Sequence, residues 1–293
     1  MAASSDILRI AAFQQIMRPA YLHHTMQQDA LVLQTIHRKR HIQQKPMGQW
    51  DCVAPGGIAW LSVADGVASS PCADLASRSF LQVLHPERLA TPLSARQLPA
   101  LVRQARLNWR AQHLRPHTRG AACTLASLLY SDGQVCAVNS GDARIWRLRP
   151  QIDGGVQWLQ LSRDHTVWQQ MLDDGDAEAG QADAYASMYQ GLLHCLVLDA
   201  DEDPNEDCTE QEDWLHIWHG RAEPGDAYLL ATDGLHSVLS DVQMQAIWGA
   251  ANSPQEGLRA LHSAFRRNGA QDDISVVLLH SGKHCKKFKS DSC

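Results

Sequence analysis

The sequence predicts an α+β fold in which antiparallel sheets are covered by helices. About nine strand-like segments, four or five helical ones, and strands that mostly follow strands through tight turns point there. A doubly wound fold would instead alternate strand with helix. No internal repeat or Pro/Ser-rich linker divides the chain, so residues 21–282 read as one domain. Residues 1–20 show no clean period and read as an N-terminal arm or short helix, and residues 283–293 as a basic tail.

Residues 29–37 are apolar and β-branched and predict a strand, whereas the polar, basic stretch 38–50 predicts a loop. Residues 57–64 form an apolar run that stops at Asp65-Gly66, as a buried strand would. Ser70-Pro71 then predicts a helix, Ser at the cap and Pro in the first turn, with Leu75, Ala76, Phe80, Leu81 and Leu84 at helical spacing. A second helix is predicted over 98–114, with Leu101, Val102, Ala105 and Trp109 on one stripe. Residues 123–130 and 135–139 read as strands joined by the turn Ser131-Asp132-Gly133, followed by strands at 143–148 and 156–161. Residues 199–213 hold nine acids and no Lys or Arg, so self-repulsion and Pro204 predict a solvated loop. Strands at 214–218 and 227–232 follow. Ser240-x-x-Gln243 and Ser253-Pro254-x-Glu256 open two helices with capping boxes, and residues 274–280 close as a strand.

Lys and Arg number 26 against 32 Asp and Glu, a formal charge of -6. No basic surplus exists to bind a phosphate backbone, so a nucleic-acid partner is not expected. Taking away the nine acids of 199–213 turns -6 into +3, so the acidity belongs to one loop and to a few placed aspartates. No apolar run approaches the ~18–20 residues of a membrane span, and the N-terminus lacks the basic start of a secretory signal. Eight cysteines without a C-x-x-C pair read as reduced thiols, and the cytoplasm is the expected compartment.

Phosphate-loop, dinucleotide, H-E-x-x-H and G-x-S-x-G motifs are all absent. The informative feature is where aspartates fall. Asp65-Gly66 and Asp233-Gly234 each end an apolar run, Asp272-Asp273 stands just before one, Asp29 opens the first strand, and Asp142 sits in a tight corner. A carboxylate at the mouth of a buried strand is partly desolvated, which is costly without a cation. Glycine beside it lets a backbone carbonyl approach a ligand. Carboxylates and carbonyls without thiol or imidazole form a hard oxygen set suited to Mg²⁺ or Mn²⁺. Each aspartate alone reads as a turn or cap residue; the repeated strand-end placement is what points to a metal.

With these blocks in hand, the chain resembles the metal-dependent protein phosphatases (protein phosphatase 2C), in order from about residue 20 to 281. Ala64-Asp65-Gly66-Val67, Cys123-Thr124-Leu125, Val138 to Arg144, Leu161 to Thr166, Gly225 to Leu235 and Gly269 to Val277 resemble six successive family blocks. The resemblance implies a four-layer α-β-β-α sandwich and two Mn²⁺ or Mg²⁺ ions that activate a water for in-line attack on phosphorus. It implies that Asp65 bridges both ions and Gly66 offers its carbonyl. Asp233 and Asp272 would then hold the first ion, Asp29 would lie near the second through water, and Asp142 would bind a third, weaker one. Implied partners are a phosphorylated protein and an opposing Ser/Thr kinase, with a monomer expected and type VI secretion regulation one context.

The departures lie before the first strand and at the last. Where the family has R-x-x-N-E-D, this chain has His24-Thr-Met-Gln-Gln28-Asp29, so His24 stands in the place of a phosphate-binding arginine and Gln28 in that of a carboxylate. Asp273 stands where the family has asparagine. The loop after Gly66 reads Val-Ala-Ser without the usual Gly-Gly, and residues 194–199 match their block poorly. The intact Asp65, Asp233 and Asp272 favour an active Ser/Thr phosphoprotein phosphatase. His24 and Gln28 motivate a pseudophosphatase that binds or scaffolds. A hydrolase of a small phosphorylated metabolite is a third reading, since such a site reads only the phosphoryl group.

Overall fold

The computed structural model describes residues 8–16, 26–36, 41–45, 47–54, 57–89, 92–178, 187–199, 213–269 and 272–281. Its strands in chain order are β1 (Leu8–Gln15), β2 (Ala30–Thr35), β3 (His41–Gln43), β4 (Met47–Ala54), β5 (Ile58–Ala64), β6 (Ala122–Cys123) and β7 (Leu125–Ser131). There follow β8 (Gln134–Ser140), β9 (Arg144–Pro150), β10 (Val156–Gln160), β11 (Leu196–Val197), β12 (His216–Arg221), β13 (Ala227–Ala231) and β14 (Ile274–Ser281). The helices are α1 (Ala73–Leu84), α2 (Leu98–His113), α3 (Val167–Asp174), α4 (Asp233–His236), α5 (Asp241–Gly249) and α6 (Pro254–Arg267).

Two six-stranded antiparallel sheets dominate, one ordered β10-β9-β13-β14-β1-β4 and the other β12-β8-β7-β5-β2-β3, with a small β11-β6 pair beside them. Strand alternation sorts the side chains into three packed layers. In β2, Leu31 and Leu33 face the space between the sheets while Ala30 and Val32 face α1 and α2. In β14, Val277 and Leu279 point between the sheets, and Ile274, Val276 and Leu278 pack under α5 and α6. The result is the four-layer α-β-β-α sandwich that the resemblance implied. Trp60, Phe80 and Trp109 anchor the α1/α2 side, the last two meeting edge to face at 5.4 Å. Several polar groups buried there are paired. Ser62 Oγ meets His85 Nε2 at 2.8 Å, His85 Nδ1 meets Gln34 Oε1 at 2.9 Å, and Trp60 Nε1 donates to Ser127 Oγ.

Pairing corrects the sequence reading in several places. Residues 8–15, within the stretch read as an arm or short helix, are β1, zipped along its whole length to β14 on one side and β4 on the other. Residues 38–50 hold β3 and the start of β4, because β1 and β2 supply partners that local composition does not reveal. The helix after Ser70 begins at Ala73 behind Cys72, which adopts a left-handed φ of 53°, and Ser70 is not its cap. The Ser70 hydroxyl is engaged instead by β6, accepting from Ala122 N–H at 3.1 Å. Likewise β12 runs from 216 to 221, not 214 to 218, its length set by pairing with β8. The basic tail 283–293 and residues 200–212 of the acidic stretch lie outside the described residues.

Candidate active site

Antiparallel pairing sets the end of one strand beside the start of the next, and this brings the aspartates together. Ala30 pairs with Ala64, so Asp29, just before β2, lies beside Asp65, just after β5. Ala231 pairs with Val276, so Asp233, at the head of α4, lies beside Asp272 and Asp273 before β14. The two sheets then bring one pair against the other through bonds that cross between them. Thr232 Oγ1 donates to Asp29 Oδ2 at 2.7 Å and accepts from Ser275 N–H at 2.9 Å. Gln14 Nε2 donates to the Asp29 carbonyl and to Ser275 Oγ, and Gln28 N–H donates to Asp273 Oδ2 at 2.8 Å.

Asp65 is fixed through its backbone. Its N–H donates to Thr124 Oγ1 at 3.2 Å and its carbonyl accepts from Thr124 N–H at 2.8 Å. Gly66 N–H donates to the Gln28 carbonyl, which also accepts from Ser77 Oγ. Thr124 and Thr232 were not singled out as site residues from the sequence. Both lie inside recognised blocks, but nothing in a linear pattern says which carboxylate a threonine will hold.

Crowded carboxylates in a dry setting keep their protons. Burial, then the charges of Asp29 and Asp233, hold Asp65 well above the usual carboxylate range, while Asp65 lies within hydrogen-bonding reach of both neighbours. Burial likewise raises Asp29, with the charges of Asp273 and Asp233 adding to it. Asp233 is pushed up to about 6 by burial and then by Asp272. Asp142, in the corner between β8 and β9, is pushed up to about 8 by burial and then by the charges of Asp233 and Asp164. Its carbonyl meets His236 Nε2 at 3.1 Å. Asp272 is exposed at the mouth, where its Oδ1 accepts from Asp273 N–H.

Two further blocks lock each other. Arg144 grips Asp164 with a two-pronged contact, Nε and Nη2 both reaching Oδ2 at 2.9 and 2.6 Å. Gly141 N–H donates to His165 Nδ1, and the Asn139 amide bonds the backbone of Arg163 in both directions. These residues brace the corner that presents Asp142. His24 lies outside the described residues.

The donor set can be tested against a divalent cation on the structure itself. Among the described residues, no three His, Cys, Asp or Glu side chains stand in a converged ligating geometry. Yet Asp29 Oδ1 and Asp233 Oδ1 are buried with no hydrogen-bond donor among the described residues beyond a proton carried by Asp65 itself. Buried oxygens left this way are expensive unless something positive meets them. The group is all oxygen, and it fits a hard cation.

Two antiparallel sheets flanked by helices are the fold of solved phosphatase structures, and comparison with known proteins gives the family. A family model described as Protein phosphatase 2C matches residues 39–270, and the chain belongs to that family. Serine/threonine protein phosphatase PstP of Mycobacterium tuberculosis is 27% identical over 228 residues, which cover 76% of this chain and 40% of PstP. The chain thus spans about 40% of the length of those curated relatives. Among solved structures, serine/threonine phosphatase Stp1 from Staphylococcus aureus superposes with a TM-score of 0.70 at 15% identity, covering 93% of this chain and 94% of Stp1. The catalytic domain of PstP in complex with two manganese ions gives 0.62 at 22% identity, covering 94% and 98%.

Proposed function

We propose that the chain is a serine/threonine phosphoprotein phosphatase that hydrolyses phosphoserine and phosphothreonine with two divalent cations, Mn²⁺ or Mg²⁺. The observation that carries this reading is the meeting of Asp29, Asp65, Asp233 and Asp272 at one end of both sheets, where Asp29 Oδ1 and Asp233 Oδ1 are buried with no donor among the described residues but a proton on Asp65. Asp65 would lie between the cations with the Gly66 carbonyl beside it, Asp233 and Asp272 on one cation and Asp29 on the side of the other. Asp142 would take a third, weaker one, and His24 would contact the phosphate. The cation pair, when bound, lowers the pKa of the attacking water and offsets charge on the phosphoryl oxygens. The chain's own residues supply the negative charge, hold it in place through Thr124 and Thr232, and shield it by burial. No nucleophilic side chain is required. The two manganese ions named for the PstP catalytic domain favour Mn²⁺.

The pseudophosphatase reading rests on His24 and Gln28, whereas Asp29, Asp65, Asp233 and Asp272 are all present and gathered at one end of the sheets. Residues 21–282 act as one catalytic domain in this reading. Among the described residues no helix is long and apolar enough to cross a membrane. Cys72, Cys123, Cys136 and Cys195 carry free thiols, which fits a reducing compartment such as the cytoplasm. Purified protein should hydrolyse p-nitrophenyl phosphate and phosphothreonine peptides with Mn²⁺, stop with EDTA, and lose about a hundredfold or more in Asp65→Asn. Turnover that survives EDTA overturns the reading, and preference for sugar phosphates over phosphopeptides overturns its protein substrate.

A further inference from the structure

Asp273 touches the chain beside three of the four aspartates of the site. Its Oδ2 accepts the N–H of Gln28, the residue before Asp29, at 2.8 Å. Its own N–H is taken by Asp272 Oδ1 at 2.8 Å. Its carbonyl oxygen lies so close to Gly234, the residue after Asp233, that a Cβ there would stand 2.0 Å away. The side chain is 1% exposed. An asparagine at this position would accept the Gln28 N–H equally well, so the hydrogen bond alone does not call for a carboxylate. A buried negative charge set among other acids is costly unless a cation shares the space, and the charge of Asp273 reaches Asp29, whose buried Oδ1 has no donor among the described residues but a proton on Asp65. Position 28, on the other side of the same hydrogen bond, carries a neutral amide.

We propose that Asp273 supplies the metal site with the carboxylate charge that Gln28 does not. Across one hydrogen bond an amide stands at 28 and an acid at 273, so the pair brings one carboxylate to the site. The inference rests on the metal reading above. It assigns Asp273 as a positioning and charge-supplying residue, and it accounts for both departures, at 28 and 273, with one contact.

The test is Mn²⁺ titration of the full chain by calorimetry, with free Mn²⁺ followed by electron paramagnetic resonance, so that no turnover is needed. Asp273→Asn keeps the hydrogen-bond acceptor and removes the charge, and should weaken the second Mn²⁺ by roughly tenfold or more. Adding Gln28→Glu to that variant should restore wild-type affinity. In EDTA, Asp273→Asn should melt at or above the wild-type temperature, since one buried like charge is gone. The inference is overturned if Asp273→Asn binds Mn²⁺ as tightly as wild type, or if the double variant stays as weak as the single one. A lower melting temperature of Asp273→Asn in EDTA would mark the residue as a structural clamp and overturn it too. Wild-type protein that bound no Mn²⁺ would overturn the metal reading together with the inference, an outcome distinct from wild type that binds and a single variant that binds equally well.

Discussion

A Cβ on Gly66 would stand 2.2 Å from the carbonyl oxygen of Ala73, and one on Gly249 would meet nothing within 4 Å. Gly66→Ala must therefore push the backbone of α1 and of the Asp65 loop apart. It should cost about 1–3 kcal/mol of stability in urea unfolding and weaken Mn²⁺ binding with it. Gly249→Ala, the control in α5, should leave Mn²⁺ binding unchanged and raise stability by about 0.4–1 kcal/mol. The sequence points to Gly66 through its Asp-Gly pair at the end of an apolar run, and assigns it the task of letting a carbonyl near a ligand. The structure adds a second task, the close passage of α1, which becomes visible only when residues 66 and 73 face each other. Thr232 teaches the same lesson. It stands in plain sight before Asp233, yet its hydroxyl serves Asp29, some 200 positions away in the chain.

Helix starts separate what is local from what is not. Ser240 both accepts from Gln243 N–H and has its own N–H taken by Gln243 Oε1, the full reciprocal box that the spacing predicts for α5. Ser253 caps α6, but Glu256 turns to Asn252 N–H at 2.9 Å, so that box is only half closed. Ser70, with an equally good local pattern, loses its cap role to β6. A cap is legible when its partners are three residues off and nothing else competes. Ser240→Ala should lower stability by about 1 kcal/mol and the melting temperature by about 2–4 °C, while metal-dependent turnover stays at the wild-type level. Loss of turnover would show that the start of α5, whose Asp241 lies 3.8 Å from Arg144, also braces the Asp142 corner.

At the scale of the molecule, the gathered acids set the response to pH. Asp29 and Asp65 are raised, Asp142 to about 8 and Asp233 to about 6, each chiefly by burial. A carboxyl raised in the fold adds stability fully below its unfolded value near 4, and that contribution is lost as pH climbs through the folded value. Buried His236 and His165 act in the opposite sense. Burial holds His236 well below its usual range and lowers His165 to about 4, so their contribution is present above ~6.5 and lost as pH falls. Above that point the carboxyls alone slope. In EDTA the melting temperature should therefore drop between about pH 6.5 and 8.5, and saturating Mn²⁺ should flatten the drop by taking the place of the protons. A metal-free protein equally stable across that window would contradict the burial of these acids.

The chain order of the blocks, the strand-end aspartates, the hairpin at Asp132-Gly133 and the α+β class all follow from the sequence by itself. They depend on periods and turns spanning only a few residues. Tertiary structure alone decided that residues 8–15 are a central strand, that β4 forms an edge, and that Thr124 and Thr232 belong around the acids. Each of those outcomes needs a partner from a distant segment, and a linear pattern carries no record of which segments will meet. The acidic balance of the sequence divides the same way. Its loop share is visible as a run of charge, but its share at the site becomes meaningful only when antiparallel pairing sets the end of one strand against the beginning of another.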